Sequence, residues 1–134
     1  MSCSLFQKFL ISSDSLHVYA ANKLIFTSDK THLIPLLEYI NQFSPFHQEV
    51  TIIDKIMGNG AALLSVLANS KEVYSPLGSQ LAINTLDKYK INYHITNITP
   101  YIKKNHSEEM CPMEKLSLHK DPEEFYTAII NLTH

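Results

Sequence analysis

Residues 50–68 read VTIIDKIMGNGAALLSVLA, and this stretch decides the fold class of the chain. Its first four residues are all β-branched, which is typical of a strand buried on both faces. Residues 61–68 are apolar nearly all round, so they predict a helix at the centre of the molecule. A buried strand that turns directly into a buried helix is a building unit of layered α/β domains.

The alternation of strands and helices continues in both directions from this unit. Between the first two strands, Ala21-Asn22 suits a tight hairpin turn because Asn tolerates a positive φ. Ser28 or Asp29 is expected to cap the helix that follows, and Ser44-Pro45 to end it. The predicted strands are residues 16–20, 23–27, 50–53, 72–75 and 93–96, and the main predicted helices are residues 4–12, 31–43, 61–68, 79–90 and one that begins after Asp121.

The length of 134 residues indicates one domain over residues 1–134. Residues 1–13 form an N-terminal helical extension, and residues 98–134 form a C-terminal loop with further helices. After residue 50, strands and helices alternate, which predicts parallel strands joined by right-handed crossovers. Asp121-Pro122 combines a capping residue with a proline at the first helical position, a strong start for the closing helix.

The composition of the chain limits the classes of partner that we expect it to bind. The net charge is −2, and all 11 basic residues are lysines, so no guanidinium group is available for bidentate base or phosphate recognition. Nucleic-acid binding is therefore disfavoured. No apolar run approaches the ~20 residues that span a bilayer, and no signal peptide is visible, so we expect a cytoplasmic protein without a membrane partner. Homo-oligomers are compatible with the sequence, but nothing in it defines an interface.

The turn at residues 54–61 is the first candidate site. Ligands of open α/β sheets gather beyond the carboxyl ends of strands, and small residues there expose backbone N–H groups to a phosphate or carboxylate. The spacing matches neither a P-loop nor a dinucleotide-binding motif. The alternative is a tight turn whose small residues serve helix–sheet packing. The candidate ligand-binding residues are Asp54, Lys55, Gly58, Asn59, Gly60 and Ala61.

Cys111 is the second candidate, as a catalytic residue. Pro112 favours the first position of a helix, so Cys111 becomes its N-cap, where the helix dipole lowers the pKa of a thiol. Nearby lysines (Lys103, Lys104, Lys115) add to this effect, and nearby glutamates (Glu108, Glu109, Glu114) oppose it. The alternative is a buried structural cysteine. A disulfide between Cys3 and Cys111 is conceivable, but free thiols are favoured.

Metal ligands do not cluster in the sequence. The seven histidines, His47 and His134 among them, contain no His-x-x-x-His pattern. Cys111 and His119 alone do not make a zinc site. We therefore expect neither a metal nor another cofactor.

Several blocks together resemble a bacterial and archaeal family of domains of unknown function that have a cytidine-deaminase-like fold. They are residues 16–27, DKIMGNGAALL at 54–64, KEVY at 71–74, CPMEK at 111–115 and DPEE at 121–124. The resemblance covers residues 14–130. It implies a three-layer α/β/α sandwich around a five-stranded mixed sheet.

The resemblance also allows the deaminase chemistry to be tested against the residues. Zinc deaminases carry His-Ala-Glu or Cys-Ala-Glu at one helix start and Pro-Cys-x-x-Cys at the next. Here the first helix opens at Thr31-His32 without the glutamate, and the second opens at Gly58 without either cysteine. We therefore do not expect zinc-dependent deamination.

What the resemblance leaves is a cavity at residues 54–61, with the Cys111 segment folded over it. The function it favours is binding of a nucleoside-like or nucleotide-like small molecule, or a metal-independent reaction on one, with Cys111 as nucleophile or acid. The alternative is a non-catalytic interaction or regulatory protein that keeps the fold. The sequence does not decide whether the protein is an enzyme.

Overall fold

The computed structural model describes residues 3–46 and 48–133. The side chain of Cys3, and with it the disulfide alternative, lies outside the described part of the chain, as do His47 and His134. Eleven helices and strands are present in the described residues. They are α1 Cys3–Ile11, β1 Leu16–Ala20, β2 Lys23–Ser28, α2 Ile34–Phe43, β3 Val50–Asp54, α3 Asn59–Leu67, β4 Ser70–Ser79, α4 Gln80–Lys88, β5 Asn92–Thr99, α5 Pro112–Ser117 and α6 Pro122–Thr133.

The strands form one mixed sheet in the order β2-β1-β3-β4-β5. β1 is antiparallel to both β2 and β3, whereas β3, β4 and β5 are parallel to one another. The predicted parallel arrangement after residue 50 is therefore confirmed. Because β1 is antiparallel to β3, Leu16 at the start of β1 pairs with Asp54 at the end of β3.

Helices flank the sheet on both faces, as expected for an α/β/α sandwich. Alternate side chains of a strand point to opposite faces. Val18 and Ile52 belong to the main core, which α2, α3, α4 and α6 complete. Tyr19 and Ile53, one residue further along, form a second cluster with Phe9 of α1 and Tyr74. Nearly every residue of α3 is buried, and this helix contacts α2, α4, α5 and α6.

Two local expectations are met where short-range chemistry decides the conformation. Ala21 and Asn22 both have positive φ, 50° and 67°, in the turn between β1 and β2. At the start of α6, the backbone N–H of Glu124 donates to Asp121 Oδ1 at 2.8 Å, and the Asp121 N–H donates to Glu124 Oε1 at 2.9 Å. This reciprocal pair is a capping box.

The start of α2 differs from the expectation. The helix begins at Ile34, three residues later than predicted, and its N-cap is Leu33, which makes no capping side-chain bond. The expected cap at Ser28 or Asp29 is wrong, because Ser28 still belongs to β2 and its hydroxyl accepts from the Lys30 N–H instead. His32 then has a positive φ of 59°, which no helix allows. Residues 29–33 therefore lie outside the helix.

The parallel strands β4 and β5 are longer than the sequence indicates. β4 extends to Ser79 and β5 to Thr99, and they remain paired from Glu72↔Asn92 to Ser79↔Thr99. Among the described residues, no helix combines the length and the apolar character needed to cross a lipid bilayer.

Candidate functional site

A cavity of about 440 Å³ opens at the edge of the sheet where β3 ends. Three parts of the chain meet there because β1 starts, β2 ends and β3 ends at the same edge. The segment after β5 and the first turn of α5 close the other side. The lining residues are Ser13, Ser15, Asp29, Lys30, Thr31, His32, Leu33, Asp54, Lys55, Ile56, Gly58, Gly60, Ala61, Ile102, Asn105, Cys111, Met113 and Glu114.

Asp54 is one of two buried acids in this cavity. It is the last residue of β3 and only 8 % of it is exposed. Burial raises the pKa of its carboxyl to about 7, and hydrogen bonds from the backbone N–H groups of Ile56 and Lys55 offset only part of that rise. A carboxyl with such a pKa is present in both protonation states at neutral pH, as a general acid or base requires.

The two glycines of the turn at residues 54–61 serve packing as well as lining the cavity. A Cβ on Gly60 would lie 2.8 Å from Cζ of the buried Phe125, which is too close for any real contact. A Cβ on Gly58 would lie 3.1 Å from both Glu114 Oε1 and Ile102 Cγ1. The packing alternative is therefore supported at both positions, although both residues also face the cavity.

Glu114 is the residue that the sequence pattern did not assign to the site. It lies in the first turn of α5 and is only 2 % exposed. Its Oε1 accepts from the backbone N–H of Asn59 at 2.6 Å, and its Oε2 accepts from the Ile102 N–H at 2.6 Å. The carboxylate thus joins the amino end of α3 to the segment after β5. It also occupies the Asn59 N–H, a backbone donor that the sequence pattern assigns to a ligand.

Asn59 belongs to a buried polar network rather than to the cavity lining. Its Nδ2 donates to Ser117 Oγ at 2.9 Å, and its Oδ1 accepts from the hydroxyl of Thr85. These bonds tie α3 to α4 and α5. Five of the six predicted ligand-binding residues line the cavity, and Asn59 instead holds together the helices around it.

Cys111 lies in the cavity wall, half-buried and with a free thiol. It is the N-cap of α5, as the sequence predicted, but its side chain makes no capping hydrogen bond. Its backbone N–H donates to the Ile102 carbonyl at 2.8 Å. Of the lysines expected near it, Lys103 pairs with Glu108 at 2.8 Å, and none of the three lines the cavity.

The segment between β2 and α2 contributes a further wall that the sequence pattern missed. Asp29, Lys30, Thr31 and His32 all line the cavity. Lys30 Nζ also lies 2.5 Å from Glu38 Oε2. The pattern failed here because Ser28 and Asp29 look like a helix cap, which would have placed these residues inside α2.

The donor set does not fit the zinc site of a deaminase. His32 is present before α2, but Gly58 and Gly60 at the start of α3 offer no metal-binding side chain. Within residues 3–46 and 48–133, no three His, Cys, Asp or Glu side chains are grouped so as to hold a metal ion.

Comparison with known proteins relates this geometry to a family. The family model TM1506, described as a domain of unknown function (DUF1893), matches residues 5–132. The chain belongs to this family. A solved structure of the DUF1893 family protein TM1506 from Thermotoga maritima, at 2.70 Å resolution, is 25% identical and has a TM-score of 0.87. The match covers 97% of this chain and 88% of that one. No curated protein matches.

The expected membership of a family of unknown function is thus confirmed. The DUF1893 description carries no activity, so it identifies the fold and leaves the chemistry to the residues.

Proposed function

We propose that this DUF1893 domain binds a small polar molecule, such as a nucleoside-like heterocycle, in the Asp54 cavity. As an enzyme it would act without a metal, with Asp54 exchanging a proton with the bound molecule. The observation that carries the proposal is the Asp54 carboxyl, buried at the strand end inside a cavity of about 440 Å³. Sites for small molecules have volumes of roughly 300–1,000 Å³.

The chemistry of Asp54 supports a ligand that carries both donors and acceptors. A protonated carboxyl donates one hydrogen bond and accepts another, whereas the carboxylate only accepts. With its pKa near 7, Asp54 can match the N–H and ring-nitrogen pair on the edge of a heterocycle in either proton arrangement. The resemblance to cytidine-deaminase-like proteins points to the same ligand class, by analogy of fold alone.

Cys111 is the second reactive group in the proposal. Its free thiol belongs to the same cavity as the Asp54 carboxyl. A nucleophilic role requires a thiolate, so alkylation by iodoacetamide at pH 7 should proceed faster than that of a model thiol. An alkylation rate no higher than that of the model thiol would rule out Cys111 as a nucleophile. Cys111 would then only line the cavity, and Asp54 would be the reacting group.

A thermal-shift screen of free bases, nucleosides and nucleotides tests the binding proposal. A ligand present at 100 times its Kd stabilises the folded state by about 2.7 kcal/mol. The Asp54→Asn variant should lose the shift, whereas Asp87→Asn, at an exposed position outside the cavity lining, is the matched control and should retain it. If no compound of the panel stabilises the wild-type protein, the proposal is wrong.

The alternative, a non-catalytic interaction protein, would be supported by a filled cavity beneath residues 58–61. An open cavity with Cys111 in its wall favours ligand binding instead.

A further inference from the structure

The amino end of α3 would ordinarily attract an anion. The first N–H groups of a helix have no carbonyl partner within the helix, and the helix dipole is positive there. Gly60 and Ala61, two residues of this first turn, line the cavity. A phosphate or carboxylate of the ligand would be expected to bind at this position if nothing else occupied it.

Glu114 already occupies it. Its carboxylate accepts the Asn59 N–H at 2.6 Å, and Oε1 lies 3.1 Å from the position of a Cβ on Gly58. Both of its oxygens are bonded to backbone donors, and the side chain is almost completely buried. Glu114 therefore acts as the resident anion of the helix end. A second anion at Gly60 or Ala61 would lie within one helical turn of it.

The other charges of the cavity do not compensate for this carboxylate. Three carboxyl groups line the cavity, those of Asp29, Asp54 and Glu114. Two lysines face them, and Lys30 already pairs with Glu38 at 2.5 Å. Lys55, the other lining lysine, is exposed and forms no ion pair with the described residues. Even with Asp54 protonated, Asp29 and Glu114 place two negative charges beside the single unpaired lysine, so a phosphate dianion would meet more negative than positive charge.

We propose that the Asp54 cavity selects an uncharged or cationic ligand and rejects phosphate and carboxylate groups, and that Glu114 determines this selectivity. The inference rests on the proposed function and makes it more specific. It favours a free base, a nucleoside or an amidine-like compound over a nucleotide. Asp54 and Glu114 then have different roles, because Asp54 contacts the ligand and Glu114 excludes the anion.

Matched ligand pairs test the inference on the wild-type protein. Calorimetric titration with nucleosides and with their 5′-monophosphates compares ligands that differ only in the phosphate group. We expect each monophosphate to bind at least about tenfold more weakly than its nucleoside, since like charges within several ångströms repel strongly in a partly buried site. Inorganic phosphate should cause no saturable shift of the Gly60 and Ala61 amide resonances.

The variant Glu114→Gln adds a second measurement. Glutamine keeps the size of the side chain and one acceptor oxygen for the Asn59 N–H but removes the negative charge. We expect the preference for the nucleoside to fall by about tenfold in this variant. The isosteric control Asp29→Asn also removes one negative charge from the lining, but at an exposed position, and should change the preference less.

The outcomes distinguish a failure of the charge selectivity from a failure of the proposed binding function. A monophosphate that binds as tightly as its nucleoside, or more tightly, overturns the charge selectivity while the proposed binding function stands. Binding by neither member of any pair overturns the proposed function and the selectivity with it. If the Glu114→Gln variant does not fold, the wild-type pairs still decide the charge selectivity, and a variant that folds but keeps the full preference for the nucleoside overturns the role of Glu114.

Discussion

Replacing Asp54 with asparagine should make the stability of the protein less dependent on pH. The carboxyl has a pKa of about 7 in the folded protein because burial disfavours its charged form, against an ordinary value of 3.8. The folded state therefore holds a proton that the unfolded state has released between about pH 4 and pH 7. Across this window the contribution of Asp54 to stability falls as the pH rises, and above pH 7 it levels off.

The magnitude follows from the size of the pKa difference. A rise from 3.8 to about 7 is worth about 4 kcal/mol in total, at ~1.4 kcal/mol for each pKa unit. Between pH 5 and pH 8.5, where the protein is practical to study, about 3 kcal/mol of this should be visible. Asparagine has nearly the same shape and does not titrate, so its variant lacks this contribution at every pH.

Urea denaturation at a series of pH values measures the effect. The free energy of unfolding of the wild type, minus that of Asp54→Asn, should fall by about 3 kcal/mol from pH 5 to pH 8.5. All other titrating groups are shared, so they largely cancel in the difference. A flat difference for Asp54→Asn would refute the argument that burial controls this carboxyl.

Three further changes test the walls of the cavity. Gly60→Ala should destabilise the protein by about 1–3 kcal/mol despite the better helix propensity of alanine, because the added methyl group meets Phe125; thermal unfolding measures the loss. Glu114→Gln should lower stability by about 1–3 kcal/mol by leaving the Ile102 N–H without its carboxylate acceptor, and slower amide exchange at that position in the variant would contradict this. Alkylation of Cys111 by iodoacetamide should slow at least severalfold when a ligand of the thermal-shift screen is bound, and an unchanged rate would place the ligand away from this wall.

Much of the fold was predictable because it depends on local chemistry. The β-branched run that begins at Val50 favours a strand through its own side chains, and Asn22 tolerates the positive φ that the turn between β1 and β2 requires. The start of α6 is set by Asp121 and Glu124, three residues apart. The order of strands and helices, and the parallel direction of the last three strands, follow from such signals.

The site was predictable only in part. The turn after Asp54 and the segment at Cys111 both line the cavity, and both have a signal in the sequence, since glycines follow a buried strand and a cysteine precedes a proline. Residues 29–32 were misread, because a serine and an aspartate before an apolar stripe have the same pattern whether or not they cap the helix. The left-handed backbone at His32 keeps residues 29–32 outside α2, and this backbone conformation depends on the surrounding packing.

The sequence by itself determined the strand–helix pattern, the hairpin and the small residues after β3, because these follow from interactions between residues a few positions apart. Only the tertiary structure decided what those small residues face. Glu114 reaches Asn59 across 55 positions of the chain, and Asp54 acquires its raised pKa from burial in the folded protein. Burial and charge at the cavity are sums over such distant contacts, so a turn that looks like an anion site in the sequence carries its own carboxylate in the folded protein.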